Sequence, residues 1–172
     1  PRLAVASLYR AGEVARDHLA DAPRARRAFE RVLALVPDHI GALVALETLL
    51  RAAGDREALA AVLAIQAATF VDPGARVMAL QERVRALDLG GLGTPNDRVE
   101  AWSTVLALRP GDRTALDGLE RESLAAGDAR VIASVDALLA EATSDPPLRA
   151  AGVRPEPDGR ASGAGPRGGG AG

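Results

Sequence analysis

Apolar residues recur every three to four positions along most of the first 146 residues, and no stretch alternates apolar with polar, so the pattern predicts amphipathic helices and no strands. Leu43, Leu46, Leu49 and Leu50 form one stripe, which Gly54 ends. Asp55 stands where it can cap a following helix whose stripe runs through Leu59, Val62, Leu63 and Gln66. Leu116, Leu119 and Leu124 lead likewise to Gly127, and Asp128 stands as the cap before Ile132, Val135, Leu138 and Leu139. Thr94 precedes Pro95, the preferred order of cap and first helical residue, and Asp97 completes a short-armed capping box. Asp21 is placed to cap a helix running from Ala25 to Val36. The expected helices are 2–19, 23–36, 39–53, 56–70, 74–88, 95–108, 112–126 and 129–143, with boundaries good to about two to four residues.

These elements repeat. A shift of 73 residues places Val32-Leu33-Ala34-Leu35 on Val105-Leu106-Ala107-Leu108, Pro37 on Pro110, and Ala52-Ala53-Gly54-Asp55 on Ala125-Ala126-Gly127-Asp128. Asp72-Pro73 falls on Asp145-Pro146 in the same register. Pro1, Pro37, Pro73, Pro110 and Pro146 then divide the chain at intervals of 36, 36, 37 and 36 residues. Proline cannot continue a helix, so a regular proline marks a regular helix boundary. A period near 36 without strands reads as a helix-turn-helix unit repeated four times.

Within that period the residues resemble tetratricopeptide repeats. The family's second helix carries a small residue, a large aromatic four later, a small or apolar residue three later, and then proline. Ala25, Phe29, Val32 and Pro37 fit in order, and Arg98, Trp102, Val105 and Pro110 fit except at the first place. Ala42, Leu43, Leu46, Leu50, Gly54 and Asp55 match the first helix and its end. The family's glycine at the close helix crossing is replaced by Glu47 and Glu120, and its usual tyrosine by Leu50 and Ser123, so the repeats are degenerate. The resemblance implies an all-α solenoid of about four antiparallel hairpins over 1–146, with Phe29 and Trp102 as core knobs. It also implies an inner wall built from the first helix of each unit. Carried across by register, that wall takes Gly41, Val44, Thr48 and Arg51 in the second unit, and Thr114, Asp117, Arg121 and Leu124 in the fourth. A partner groove at Val44, Thr48, Arg51, Asp117 and Arg121 is the expectation, with the two arginines as its strongest donors. Some family members clamp peptide carboxylates with Lys and Asn at such places. This chain has no Lys, so acidic C-terminal peptides of the chaperone type are not expected to bind.

Composition changes the picture at the C-terminus. Ser162–Gly172 reads SGAGPRGGGAG, too poor in apolar side chains to offset its ordering entropy, so 147–172 is expected to be a disordered tail. It carries four Arg against Glu156 and Asp158. Over the whole chain the net charge is −2, which gives no electrostatic footprint for nucleic acid. All 21 basic residues are Arg, and Arg with Ala, Gly and Pro reads as the coding bias of a GC-rich bacterial genome. No cysteine is present and no apolar run approaches the roughly 20 residues of a membrane span, so neither thiolate metal sites nor membrane insertion is expected. The chain begins at Pro1 without Met, so a missing upstream segment is expected; a cytoplasmic location is favoured.

Catalytic chemistry finds little purchase. His18 and His39 lack the further ligands of a metal site, and no H-E-x-x-H or G-x-S-x-G motif occurs. Gly90-Gly91-Leu92-Gly93-Thr94-Pro95 lacks the Gly-Lys-Ser/Thr ending of a phosphate loop and reads as an interhelical turn. Glu120 and Glu122 lie two apart on one helix and so point to different faces. The expected function is therefore a non-catalytic protein-interaction scaffold without cofactor, with a protein or peptide partner and neither nucleic acid nor membrane. The alternatives are a spacer or cap of a longer solenoid, or an accessory piece of a larger enzyme or regulator.

Overall fold

The computed structural model describes residues 2–127 and 129–144. They form α1 (Arg2–Asp17), α2 (Ala22–Leu35), α3 (Ile40–Ala53), α4 (Arg56–Thr69), α5 (Pro73–Gly90), α6 (Pro95–Leu108), α7 (Arg113–Ala126) and α8 (Ala129–Ser144). No strand occurs among the described residues, and each helix packs on the next in chain order. All eight expected helices are present with ends within about two residues of the sequence reading. The expected tail and the cap at Asp128 lie outside the described residues.

The helix ends follow from local chemistry. Asp21, Asp55, Asp72 and Asp112 each accept the backbone N–H three residues on, satisfying a donor the first helical turn leaves free. Thr94 and Asp97 form the reciprocal capping box the sequence indicates. His39 caps α3 through Nδ1, which accepts from the Ala42 N–H at 3.1 Å. Gly54, Gly91 and Gly127 close α3, α5 and α7 in the left-handed conformation. The turn between α1 and α2 has no glycine, and Ala20 takes φ 51° there instead.

The core is aliphatic and small. Leu43, Leu46, Leu50, Leu63, Val77, Leu80, Val84, Val105 and Leu119 are buried along the whole stack, interleaved with Ala25, Ala42, Ala60, Ala79, Ala101 and Ala115. Phe29 and Trp102 are buried, as their repeat positions require. Each ring lies against a glycine that sequence reading passes over. A Cβ at Gly12 of α1 would stand 2.6 Å from the Phe29 ring, and a Cβ at Gly118 of α7 would overlap Trp102 Nε1. Tyr9 of α1 tilts onto Phe29 with centroids 5.5 Å apart and onto His39 at 4.9 Å.

The small residue expected before Trp102 is Arg98, and the structure accounts for it. Arg98 Nε lies 2.8 Å from Glu122 Oε2, an ion pair whose geometry is not that of an aligned hydrogen bond, and 3.4 Å from Asp88. Its Nη1 donates to the Leu92 carbonyl. Glu122 is 3 % exposed while Glu120 is exposed, so the two acids do face apart. Arg98 therefore ties α6 to α5 through the exposed Asp88 and to α7 through Glu122, the only buried acid among the described residues. Removing Arg98 would leave the buried Glu122 carboxylate without its partner, whereas removing Glu122 leaves Arg98 with Asp88 and the Leu92 carbonyl.

Candidate interaction surface

The groove positions taken from the repeat register lie on α3 and α7, and α5 stands between those helices. On α3, Val44 and Thr48 are exposed, and the Thr48 hydroxyl donates to the Val44 carbonyl of its own helix. Arg51 is half exposed. Its Nη2 donates to Glu47 at 2.9 Å and its Nη1 crosses to Glu82 of α5 at 2.8 Å. These two acids, Glu82 first, hold the guanidinium above its usual pKa range. Glu82 also receives Arg85, and the second oxygen of Glu47 accepts from Gln66 Nε2 of α4 at 2.9 Å. Gln66 is 2 % exposed, so this bond satisfies a buried amide. Glu47, which occupies the place of the family's glycine, thus links α3 to α4.

Between these helices lies a cleft of about 430 Å3. Its base is apolar, with Leu63 and Phe70 from α4 and its end and Ala75 and Ala79 from α5, and Met78 of α5 lines its edge. Its polar lining is the buried Gln66 and, towards solvent, Glu47, Arg51 and Glu82. Met78 is 66 % exposed at the edge. The rim alternates in sign, so it presents polar groups without a strong net field.

On α7, Thr114, Asp117, Arg121 and Leu124 are all exposed. Asp117 pairs with none of the described residues, and Arg121 reaches Asp88 of α5 only at 3.8 Å. The structure therefore brings Val44, Thr48 and Arg51 to one helical face, and Asp117 and Arg121 to another. The ion pairs Arg51–Glu82 and Asp88–Arg121 join both faces through α5. Register reasoning named no residue of α5. The missing members are Met78, Glu82 and Asp88, and pairs such as Arg51 and Glu82, 31 residues apart, leave no local signature.

Among the described residues no group of three or more His, Cys, Asp or Glu is placed to hold a metal ion, and no helix is long and apolar enough to cross a membrane. A scan against protein-family models finds no match, and a search of curated proteins finds none either. The arrangement is that of a helical repeat-like stack of eight consecutively packed helices.

Proposed function

We propose that this chain is a degenerate tetratricopeptide-like scaffold, without catalytic activity of its own, that holds a protein or peptide segment along the face of α3, α5 and α7. The observation that carries the reading is the cleft between α3, α4 and α5, whose apolar base is edged by Glu47, Arg51 and Glu82. An extended segment can seat an apolar side chain on Phe70 and Met78 while its backbone meets the polar rim. The resemblance of the proline-bounded units to tetratricopeptide repeats supports the same face. The rim's balanced charge, with no Lys, speaks against peptides ending in clustered carboxylates.

The test is a peptide-array screen followed by affinity measurements on Arg51→Ala, Arg121→Ala and Met78→Ala. The expected loss is about 1–2 kcal/mol for at least one of the three, as for residues central to an interface. Affinities within about 0.5 kcal/mol of the parent for all three would refute this face. A spacer reading draws on one observation, that Arg51 already spends both terminal nitrogens inside the fold. A screen that returns no ligand for the face would favour it.

A further inference from the structure

Residue 66 interrupts an otherwise apolar stripe. Leu59, Val62 and Leu63 precede it on the same face of α4, and the 73-residue shift puts Leu139 at the equivalent place in α8. Gln66 is nevertheless as deeply buried as its apolar neighbours, at 2 % exposed. A buried amide has two ends to satisfy. Its Nε2 donates to Glu47 Oε2 at 2.9 Å. Paired with Arg51, that carboxylate can only accept, so it fixes which end of the amide is nitrogen and turns the carbonyl oxygen elsewhere. Gln66 Oε1 accepts from none of the described residues, and it is not sealed in the core as Trp102 Nε1 is. It opens on the cleft that Gln66 lines with Leu63, Phe70, Ala75 and Ala79.

Glu47 does not require the glutamine. Its side chain is 26 % exposed, and Arg51 already serves its other oxygen. A leucine, as at the equivalent place, would fill the stripe without an unanswered acceptor. The amide therefore costs the free chain stability that an occupant bearing a donor returns.

The surroundings of this acceptor narrow the donor. The cleft wall is apolar, so the occupant needs an apolar body with its donor at the tip. Ala75 and Ala79, one helical turn apart on α5, put no long side chain into that wall and leave width for a ring. Serine and threonine lack the body. Lysine has it, but would set an ammonium beside Arg51 in a partly dry site. Tyrosine and tryptophan remain. Arg51 separates these two. Its guanidinium bonds the same Glu47 carboxylate as Gln66 and gives one further bond to Glu82, which leaves N–H groups to donate. A phenol hydroxyl can accept from Arg51 while donating to Gln66 Oε1, whereas an indole N–H can only donate.

We propose that the side chain held in this cleft is a tyrosine of the partner segment, with its ring on Phe70 and Ala79 and its hydroxyl between Gln66 and Arg51. This rests on the reading of the α3–α5 face as a peptide-binding surface and names what that surface selects. Tyr9, the one tyrosine of this sequence, is engaged with Phe29 and His39, so the segment comes from a different protein.

The experiment titrates the full chain with peptide libraries of degenerate flanks and one fixed central residue: tyrosine, phenylalanine, leucine or lysine. The tyrosine library should bind best. Replacing that tyrosine by phenylalanine in its tightest peptide should weaken affinity about ten- to a hundredfold, because Gln66 Oε1 is then left unpaired. This comparison needs no protein variant. In Gln66→Met, which keeps the length of the side chain and removes its oxygen, the two peptides should bind within about twofold of each other. Equal affinity of the two peptides for the parent overturns the tyrosine assignment, as does a leucine or lysine library that binds best. In either case the face reading stands if Arg51→Ala weakens the peptides that do bind. Undiminished discrimination in Gln66→Met with unchanged helix content also overturns the assignment. Binding by none of the four libraries overturns the face reading and this proposal together.

Discussion

Phe29 and Trp102 stand 73 residues apart at equivalent places in the two halves of the chain, and both are buried, yet each meets its glycine on the opposite side. Phe29 lies on Gly12 of the helix before it, and Trp102 lies on Gly118 of the helix after it. The reason is visible at the counterpart positions. Where α1 has Gly12, α5 has the buried Val84, which closes that side to Trp102. Where α7 has Gly118, α3 has the buried Ala45, which leaves no pocket for Phe29 on that side. A repeat position thus fixes how deep a ring lies, and the location of a residue without Cβ fixes which neighbour receives it.

The strongest way to break this comparison is to remove the rings. Trp102→Ala and Phe29→Ala should each cost about 3–5 kcal/mol by denaturant unfolding, the range for a buried large ring in a packed core. A loss under about 1 kcal/mol for either would mean that its glycine contact does not organise the core. The next effect is smaller and more specific. Gly118→Ala should destabilise by about 1–3 kcal/mol, because the added methyl overlaps the indole rather than open space. Trp102→Phe placed in the Gly118→Ala background should recover much of that loss. It would take away the indole atoms that the new methyl overlaps and remove the Trp102 Nε1 donor, which is buried without a partner, although Val84 still fills the side that Gly12 opens to Phe29.

The two halves also differ at their turns. Gly54, Gly91 and Gly127 end α3, α5 and α7, whereas Ala20 holds a left-handed backbone between α1 and α2. An L-residue there carries strain of roughly 1–2 kcal/mol. Ala20→Gly relieves it and loosens the unfolded chain, so a net gain up to about 1 kcal/mol is expected. No change in the unfolding midpoint would show that the loop shifts to accommodate the side chain.

Much of this was legible in the sequence for a physical reason. Helix existence and ends depend on neighbours within four residues, and the Asp caps, Thr94–Asp97 box and Gly54 and Gly127 stops are written there. Ring burial followed from register. The sharing of Arg98 among Asp88, Glu122 and the Leu92 carbonyl was not legible, and neither were the Gly12 and Gly118 contacts. Each depends on which helices approach across space. The candidate groove was legible on α3 and α7 alone. Its α5 members became visible only when Glu82 and Asp88 were seen bridging to Arg51 and Arg121.

Acid should separate the caps from the core. Arg26 and then the Ala58 N–H hold the Asp55 carboxyl below its ordinary range, and the Thr94 backbone and hydroxyl do so for Asp97. For a group depressed in the folded state, stability is present above the unfolded pKa, about 3.9, and is lost as pH falls through the lower folded value. Unfolding midpoints should therefore drop below about pH 4. Asp55→Asn, which keeps a capping oxygen but not the charge, should flatten that drop. An unchanged acid slope in Asp55→Asn would assign it to other carboxylates.

The smallest expected effect bears most directly on function. Arg51 is paired with Glu47 and Glu82, but its side chain is 49 % exposed and those of its partners 26 %. Solvent screens such pairs, and holding the arginine in place costs side-chain entropy, so each is worth about 0–1 kcal/mol. A double-mutant cycle on Arg51→Ala and Glu82→Gln should give a coupling within that range, falling as salt rises. Asp88 and Arg121, 3.8 Å apart, should couple less still. A coupling above about 2 kcal/mol would make the α3–α5 pair a structural rivet and would support the spacer reading. A weak coupling leaves Arg51 free to exchange Glu82 for a ligand acceptor at little cost to the fold. An affinity loss in Arg51→Ala could then be read as a lost contact with the ligand, because the helices that present it would still be in place.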